Sequence, residues 1–197
     1  MIEVEKKFRL KPGQAEALQQ GATFAREVRL EDDYYDLDDW ALTKKDWWLR
    51  LRNGRWELKH PVPVSPNMPA TEKYPQYNEV EDEASIRKLI NLPLRGSLAE
   101  DLETAGYTVV AEVRSTRRVF SRPPFTLDFD VTDDGLAICE IELMVDRTEE
   151  VSPALERILA FARERGLDIG LIRGKVVEAI RKKNPKHYHA LVNAGVV

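Results

Sequence analysis

One cysteine, Cys139, stands in a chain of 197 residues, which rules out an internal disulfide and leaves the fold to its apolar core. Its neighbours Ile138 and Ile141 point to a buried, inert thiol in a reducing compartment. Histidine is nearly as scarce: His60, His187 and His189 lack the spacing of a metal site or of a nucleophile relay, and no role is assigned to them. No run approaches the roughly 18 apolar residues of a membrane span, and no basic-then-apolar leader opens the chain. A cytoplasmic location without a membrane partner is therefore expected. An excess of positive charge is missing too. Thirty Lys and Arg are set against 34 Asp and Glu, for a net charge of -4, which argues against nucleic-acid binding through a broad basic surface.

What is present is apolar residue enough for a core, and a surplus of charge. Hydrophobic residues make up 43% of the chain, whose length suits a single domain covering residues 1–197, expected to be a monomer. Charged residues reach 32%, above the roughly 25% of an average globular protein, so the surplus needs a location. Eight segments read as strands: 2–10, 23–35, 46–53, 55–60, 76–81, 108–121, 125–131 and 137–145. Asn53 and Gly54 signal a tight hairpin between the third and fourth. Helices are expected over 12–20, 82–91, 97–105 and 152–166, with Ser97 and Glu100 at capping-box spacing and Ser152 as an N-cap. A further helix starts near Lys175, breaks at Asn184 and Pro185, and is followed by a last one over 187–192. Five prolines make 60–75 an exposed loop. Strands joined mostly without crossover helices give an α+β fold class, an eight-stranded antiparallel β-barrel flanked by helices.

Residues two apart share a face of a strand, so each segment sorts by parity. Glu3, Glu5, Lys7 and Arg9 lie opposite Ile2, Val4 and Phe8. Trp48, Arg50 and Arg52 lie opposite Trp47, Leu49 and Leu51, and Glu57 and Lys59 opposite Trp56 and Leu58. Asp128 and Asp130 oppose Leu127 and Phe129, Glu140 and Glu142 oppose Ile141 and Leu143, and Tyr77, Glu79 and Glu81 oppose Val80. An ordinary sheet with one solvated side explains any one of these strands. At least five of them, however, give nearly pure carboxylate, Arg and Lys where Thr, Ser and Gln would be usual. If this face is the inside of a barrel, the lumen holds about a dozen charges, and burying them dry would cost several kcal/mol each. The lumen must then be wet, or filled by an ion and a charged ligand, with the outer apolar faces covered by the helices. The charges share a face because that face lines a cavity.

Clustered Asp and Glu without His or Cys suit Mg2+ or Mn2+, which take oxygen ligands. Arg and Lys beside them suit phosphate oxygens. Carboxylates for a metal beside cations for phosphates are what phosphoryl transfer requires, so a polyphosphate is the implied ligand.

The opening "EVEKKF", with Glu3, Glu5 and Lys7, resembles the ExExK motif of the CYTH superfamily, the triphosphate tunnel metalloenzymes. The later "LRLR", "WELK", "LDFD" and "EIE" segments extend the resemblance over nearly the whole chain. Within that family "DDYYD", "WLRLRNGRWELKHP" and the closing "GKVVEAIRKKNPKHYHALV" are similar to the thiamine triphosphatase branch. The resemblance implies an eight-stranded tunnel and Mg2+-dependent hydrolysis of a small-molecule triphosphate, thiamine triphosphate in that branch. Inorganic or nucleoside triphosphates, cyclisation of ATP, and polyphosphate binding without catalysis are the alternatives. By the same resemblance Glu3, Glu5, Asp128, Glu140 and Glu142 match the metal-binding acids. Lys7, Arg50, Arg52, Lys59, Arg117 and Lys175 match the cations that hold triphosphate, Lys59 and Tyr34 a catalytic pair, and Trp48 a residue stacked on thiamine. Arg114 and Arg118 compete with Arg117 for its place, and Thr116 and Asn78 stand where the pattern has lysine. Asp130, Glu57, Glu79 and Glu81 are read as partners of the cations.

Overall fold

The computed structural model describes residues 2–61, 77–170 and 172–197. Eight strands are present among the described residues: β1 (Ile2–Phe8), β2 (Thr23–Asp36), β3 (Trp48–Arg52), β4 (Arg55–Pro61), β5 (Tyr77–Val80), β6 (Thr108–Arg122), β7 (Phe125–Thr132) and β8 (Ala137–Val145). They close into a barrel in the order β1, β5, β4, β3, β2, β6, β7, β8, with β1 antiparallel to β5 and β8, β3 to β2 and β4, and β7 to β6 and β8. Six α-helices accompany them among the described residues: α1 (Gln14–Gln19), α2 (Glu83–Leu89), α3 (Leu98–Thr104), α4 (Val151–Glu164), α5 (Lys175–Lys183) and α6 (Pro185–Asn193). No helix among the described residues is long and apolar enough to cross a membrane.

The chain groups into two compact units that alternate along the sequence. One contains residues 2–30, Tyr77 and Arg114–Lys175; the other contains Glu31–Pro61, Asn78–Val113 and Val176–Val197. In the first unit Val4 and Phe8 of β1, Leu127 and Phe129 of β7, and Cys139, Ile141 and Leu143 of β8 pack with Leu155, Ile158, Leu159 and Ala162 of α4. These are the apolar parities read from the sequence, and the apolar stripe of α4 covers them. In the second unit Leu49, Trp56 and Leu58 of β3 and β4 pack with Ile86 of α2 and Leu98 and Leu102 of α3. The face bearing the charges is therefore the one turned away from α4 in the first unit, and from α2 and α3 in the second. Cys139 is wholly buried, and burial pushes its thiol well above the ordinary range, in keeping with an inert role.

Local rules account for most boundaries. Asn53 and Gly54 take left-handed backbone angles, φ 46° and 81°, which a tight hairpin between right-twisted strands requires. Ser97 accepts from the Glu100 N–H while the Glu100 side chain accepts from the Ser97 N–H, the reciprocal cap expected for α3. Other boundaries differ. Strand β1 stops at Phe8, so Arg9 lies beyond it and is exposed. Strand β3 starts at Trp48 because Thr43–Lys45 forms a 3₁₀ turn that ends on a left-handed Asp46. Ser152 is inside α4, not before it: a 3₁₀ turn over Thr148–Glu150 leads directly into the helix, whose N-cap position is Glu150. The last helix begins at Pro185, with the Asn184 side chain accepting from the His187 N–H. Most of the proline-rich loop expected over 60–75, and Gln76, lie outside the described residues; His60 and Pro61 belong to β4. Glu81 follows β5 and is exposed.

His187 proves structural. It is wholly buried, its Nε2 lies 2.7 Å from Thr43 Oγ1, and its ring stacks on Trp40 with centroids 4.8 Å apart, which anchors α6 to the Thr43–Lys45 turn.

Ile158, wholly buried on the inner stripe of α4, measures how firmly the helix is clamped. Ile158→Ala should lower the unfolding free energy by about 2–5 kcal/mol in urea denaturation. A loss below about 0.5 kcal/mol would place that stripe on a solvated surface.

Candidate functional site

In the first unit, strand pairing brings the acids together. Register sets Glu5 of β1 opposite Glu142 of β8, Lys7 opposite Glu140, and Asp128 of β7 opposite Glu140. One result is a group of Glu3, Glu5 and Glu142; another is Asp128, Glu140 and Glu142, with the oxygens of each group within 4.8 Å of one another. Glu142 belongs to both. Cations are threaded through these acids. Lys7 forms an ion pair with Glu5 and lies 3.5 Å from Glu140. Arg117 of β6 sits opposite Asp130 and donates through Nε and Nη2 to its two oxygens at 2.8 and 2.7 Å, to Glu140 at 2.6 Å, and through Nη1 to Asp128. Lys175, at the start of α5, donates to Asp130 at 2.5 Å.

The electrostatics follow from crowding. Burial, then the charges of Asp128, Glu3 and Glu140, push the Glu142 carboxyl up to about 9. Burial, with Glu140 and Asp130 close by, raises Asp128 too, against the pull of Arg117. Arg117 loses hydration by burial, yet Glu140, Asp130 and Asp128 hold it firmly charged. Burial likewise works against the charge on Lys7, but Glu5 and Glu140 outweigh it and raise its pKa.

Three features suit these groups to a hard divalent cation. The donors are all carboxylate oxygens, as Mg2+ and Mn2+ require. Buried Asp128 Oδ1 has no hydrogen-bond partner among the described residues, and a cation is one way to satisfy it. Burial, then the charges of Asp128, Glu3 and Glu140, outweigh Arg117 at Glu142, so an added cation beside it would favour its charged form.

In the second unit β2, β3 and β4 carry a different set. Arg52 donates to both oxygens of Asp32 at 2.6 and 2.9 Å. Arg50 donates to Glu57 at 2.6 Å and to the Tyr34 hydroxyl at 3.4 Å. Lys59, opposite Trp48 in register, lies 3.2 Å from Glu79. Trp48 is buried, donates from Nε1 to Asp46 at 2.8 Å, and meets the Tyr34 ring edge-on at 6.3 Å. Burial, partly offset by Arg50, raises the Tyr34 phenol, so it is protonated at neutral pH.

The residues expected to carry function thus fall into two sets. Glu3, Glu5, Lys7, Arg117, Asp128, Glu140, Glu142 and Lys175 assemble in the first unit; Tyr34, Trp48, Arg50, Arg52 and Lys59 assemble in the second. The competition among three arginines resolves. Arg118 is half exposed near Glu27 and over the Phe24 and Phe120 rings, Arg114 shares its strand parity, and Arg117 alone of the three points at the carboxylates of β7 and β8. Sequence reasoning missed Asp32, which is wholly buried in the grip of Arg52. The signal was present, since Asp32 has the parity of Tyr34 on the same strand.

The CYTH domain family matches residues 1–169 of the chain. Human thiamine-triphosphatase is 31% identical over 210 residues, spanning 98% of this chain and 90% of its own length. Among solved structures, a protein from Pyrococcus horikoshii OT3 superposes with a TM-score of 0.67 at 24% identity, covering 92% of this chain and 99% of the other. A putative adenylyl cyclase from Hippeastrum, described as having a dominant triphosphatase activity, superposes with a TM-score of 0.55 at 15% identity, covering 92% and 94%. These two likenesses are of fold.

The raised Glu142 carboxyl has a consequence for stability. Its folded-state pKa of about 9 lies above the ordinary 4.5, so the folded protein keeps a proton that the unfolded chain releases. That contribution is complete below about pH 4.5 and is lost as pH climbs through about 9. In EDTA the thermal midpoint should therefore fall as pH rises across this window, and Glu142→Gln should flatten the fall. A wild-type midpoint that rises with pH, or an unchanged slope in the variant, would contradict the crowding described.

Proposed function

The chain belongs to the CYTH family, and from that premise we propose that it hydrolyses thiamine triphosphate to thiamine diphosphate and phosphate, with Mg2+ as cofactor. The observation that carries this reading is the first unit's two all-oxygen carboxylate groups, with Lys7, Arg117 and Lys175 among their acids. One set of side chains thus offers oxygen ligands suited to a hard cation and cations suited to phosphate oxygens, which supports the reading. The similarity to human thiamine-triphosphatase over 98% of the chain supports the choice of substrate, as does Trp48, a tryptophan on the same strand face as Arg50 and Arg52. The whole chain, 1–197, is taken to work as one cytoplasmic domain and as a monomer.

In this reading Glu3, Glu5, Asp128, Glu140 and Glu142 hold Mg2+, with Mn2+ the other ion suited to such ligands. When bound, the ion neutralises phosphate oxygens and polarises the phosphorus they surround. Lys7, Arg50, Arg52, Arg117 and Lys175 bind the remaining oxygens of the triphosphate and offset the charge that grows on the departing diphosphate. Water attacks the terminal phosphorus in line, its oxygen forming the new bond as the bond to the bridging oxygen breaks. The proton given up by the water ends on an oxygen of the phosphate products, and Lys59 and the protonated phenol of Tyr34 assist its movement by donating hydrogen bonds along the way.

Phosphate release measured side by side on thiamine triphosphate, tripolyphosphate and ATP, with Mg2+ or Mn2+, tests the proposal. Thiamine triphosphate should have the highest kcat/KM. A preference for tripolyphosphate or ATP would keep the chemistry and replace the substrate, whereas tight binding in calorimetry without phosphate release would make the protein a polyphosphate-binding module. Lys59→Ala should lower kcat by about a hundredfold or more with little change in binding, whereas Arg52→Ala should also raise KM by about tenfold. Small and equal effects from both would remove these roles.

A further inference from the structure

Two carboxylate groups account for five acids of the first unit's charged face, and Asp130 belongs to neither. It is nevertheless more deeply buried than its neighbours, 1% exposed against 4% for Asp128 and 5% for Glu140. Both its oxygens are engaged. Oδ1 accepts from Arg117 Nε at 2.8 Å, and Oδ2 accepts from Arg117 Nη2 at 2.7 Å and Lys175 Nζ at 2.5 Å. The first contact crosses between paired strands, where register sets Arg117 opposite Asp130. The second spans 45 residues of sequence and ties the start of α5 to β7. A single carboxylate thus grips two cations.

Arginine and lysine side chains each lose rotamer freedom when they are held in place, and two like charges repel when brought together. A buried acid between them removes both obstacles before any ligand arrives, which is preorganisation in the usual sense. Asp128 and Glu140 also touch Arg117, but both sit in a group suited to metal, so Asp130 is the acid left to hold the cations. Resting on the triphosphatase reading above, we propose that Asp130 is a positioning residue for the substrate: it fixes the Arg117 guanidinium and the Lys175 ammonium relative to each other so that both meet phosphate oxygens, and it binds neither metal nor substrate itself. The second unit repeats the device independently, with wholly buried Asp32 in the fork of Arg52.

Asp130→Asn keeps the shape of the side chain and removes its charge. In the full-length protein with Mn2+ it should raise KM for thiamine triphosphate and tripolyphosphate by about tenfold or more while kcat changes less. The Mn2+ dissociation constant of the substrate-free variant, read by calorimetry, should stay within about threefold of the wild type, an outcome that separates a holder of cations from a metal ligand. On a Lys175→Met background the same substitution should have a smaller effect on KM, because one of the two cations it serves is already gone. An unchanged KM overturns the proposal, and so does a collapse of Mn2+ affinity. Should Asp130→Asn not fold, Asp130→Glu keeps the charge and displaces both cations by a methylene; a raised KM then supports the proposal and an unaltered one overturns it. A wild-type protein that neither binds nor hydrolyses these triphosphates would overturn the triphosphatase reading and this inference together. Wild-type hydrolysis with an unaltered Asp130→Asn would remove only the inference.

Discussion

Several acids on the charged faces are tolerable because a cation lies against them, and those cations because of their acids: Asp130 between Arg117 and Lys175, Asp32 in the fork of Arg52, Glu57 beside Arg50. Removing an ion from water is expensive, and mutual attraction repays the cost only where the geometry is good and further hydrogen bonds satisfy what remains. The barrel strands supply that geometry. Antiparallel register sets Arg117 opposite Asp130 and Lys7 opposite Glu140, so the pairs follow from backbone pairing before any side chain adjusts. Compensation is incomplete at Glu142, where burial and three neighbouring carboxylates raise the pKa, and this is the place where the protein has most to gain from an added cation.

Such a face can exist only if the other side of the sheet is covered. In a conventional antiparallel sheet the apolar side faces a core and the polar side faces water. Here α4 in one unit and α2 and α3 in the other cover the apolar parities, which leaves the charged parities for function. Lys175, at the start of α5, reaches the charged face at Asp130, whereas α4, α2 and α3 serve the apolar side, which the strands could not otherwise bury.

Parity made much of this legible in the sequence. Alternation alone distinguished Leu49 and Leu58 from Arg50 and Lys59, and the assignment of faces follows from it. Oxygen-only acids without histidine or cysteine pointed to a hard cation. What remained hidden depended on tertiary geometry. Three arginines in five residues of β6 cannot be ranked until a partner strand shows which one meets Asp130. The grip of Asp130 on Lys175 joins residues 45 positions apart, and nothing local signals it. Ser152 reads as a cap because its chemistry fits, but a preceding 3₁₀ turn captures the role of helix entry first. Asp32 was missed for a different reason: it stands beside Asp33 in an acidic run where only parity separates a buried residue from its neighbour.

The period of two also limits how such a chain can change in length. Inserting or deleting one residue within β7 would turn Asp128 and Asp130 toward α4 and bring Leu127 and Phe129 among the ions, a reversal of the whole strand from one small event. Strands of this kind tolerate substitution far better than a frame change, so additions and losses should collect in the longer connections between elements, where no face has to be kept, and not in the tight turn at Asn53 and Gly54, which sets the register of β3 on β4.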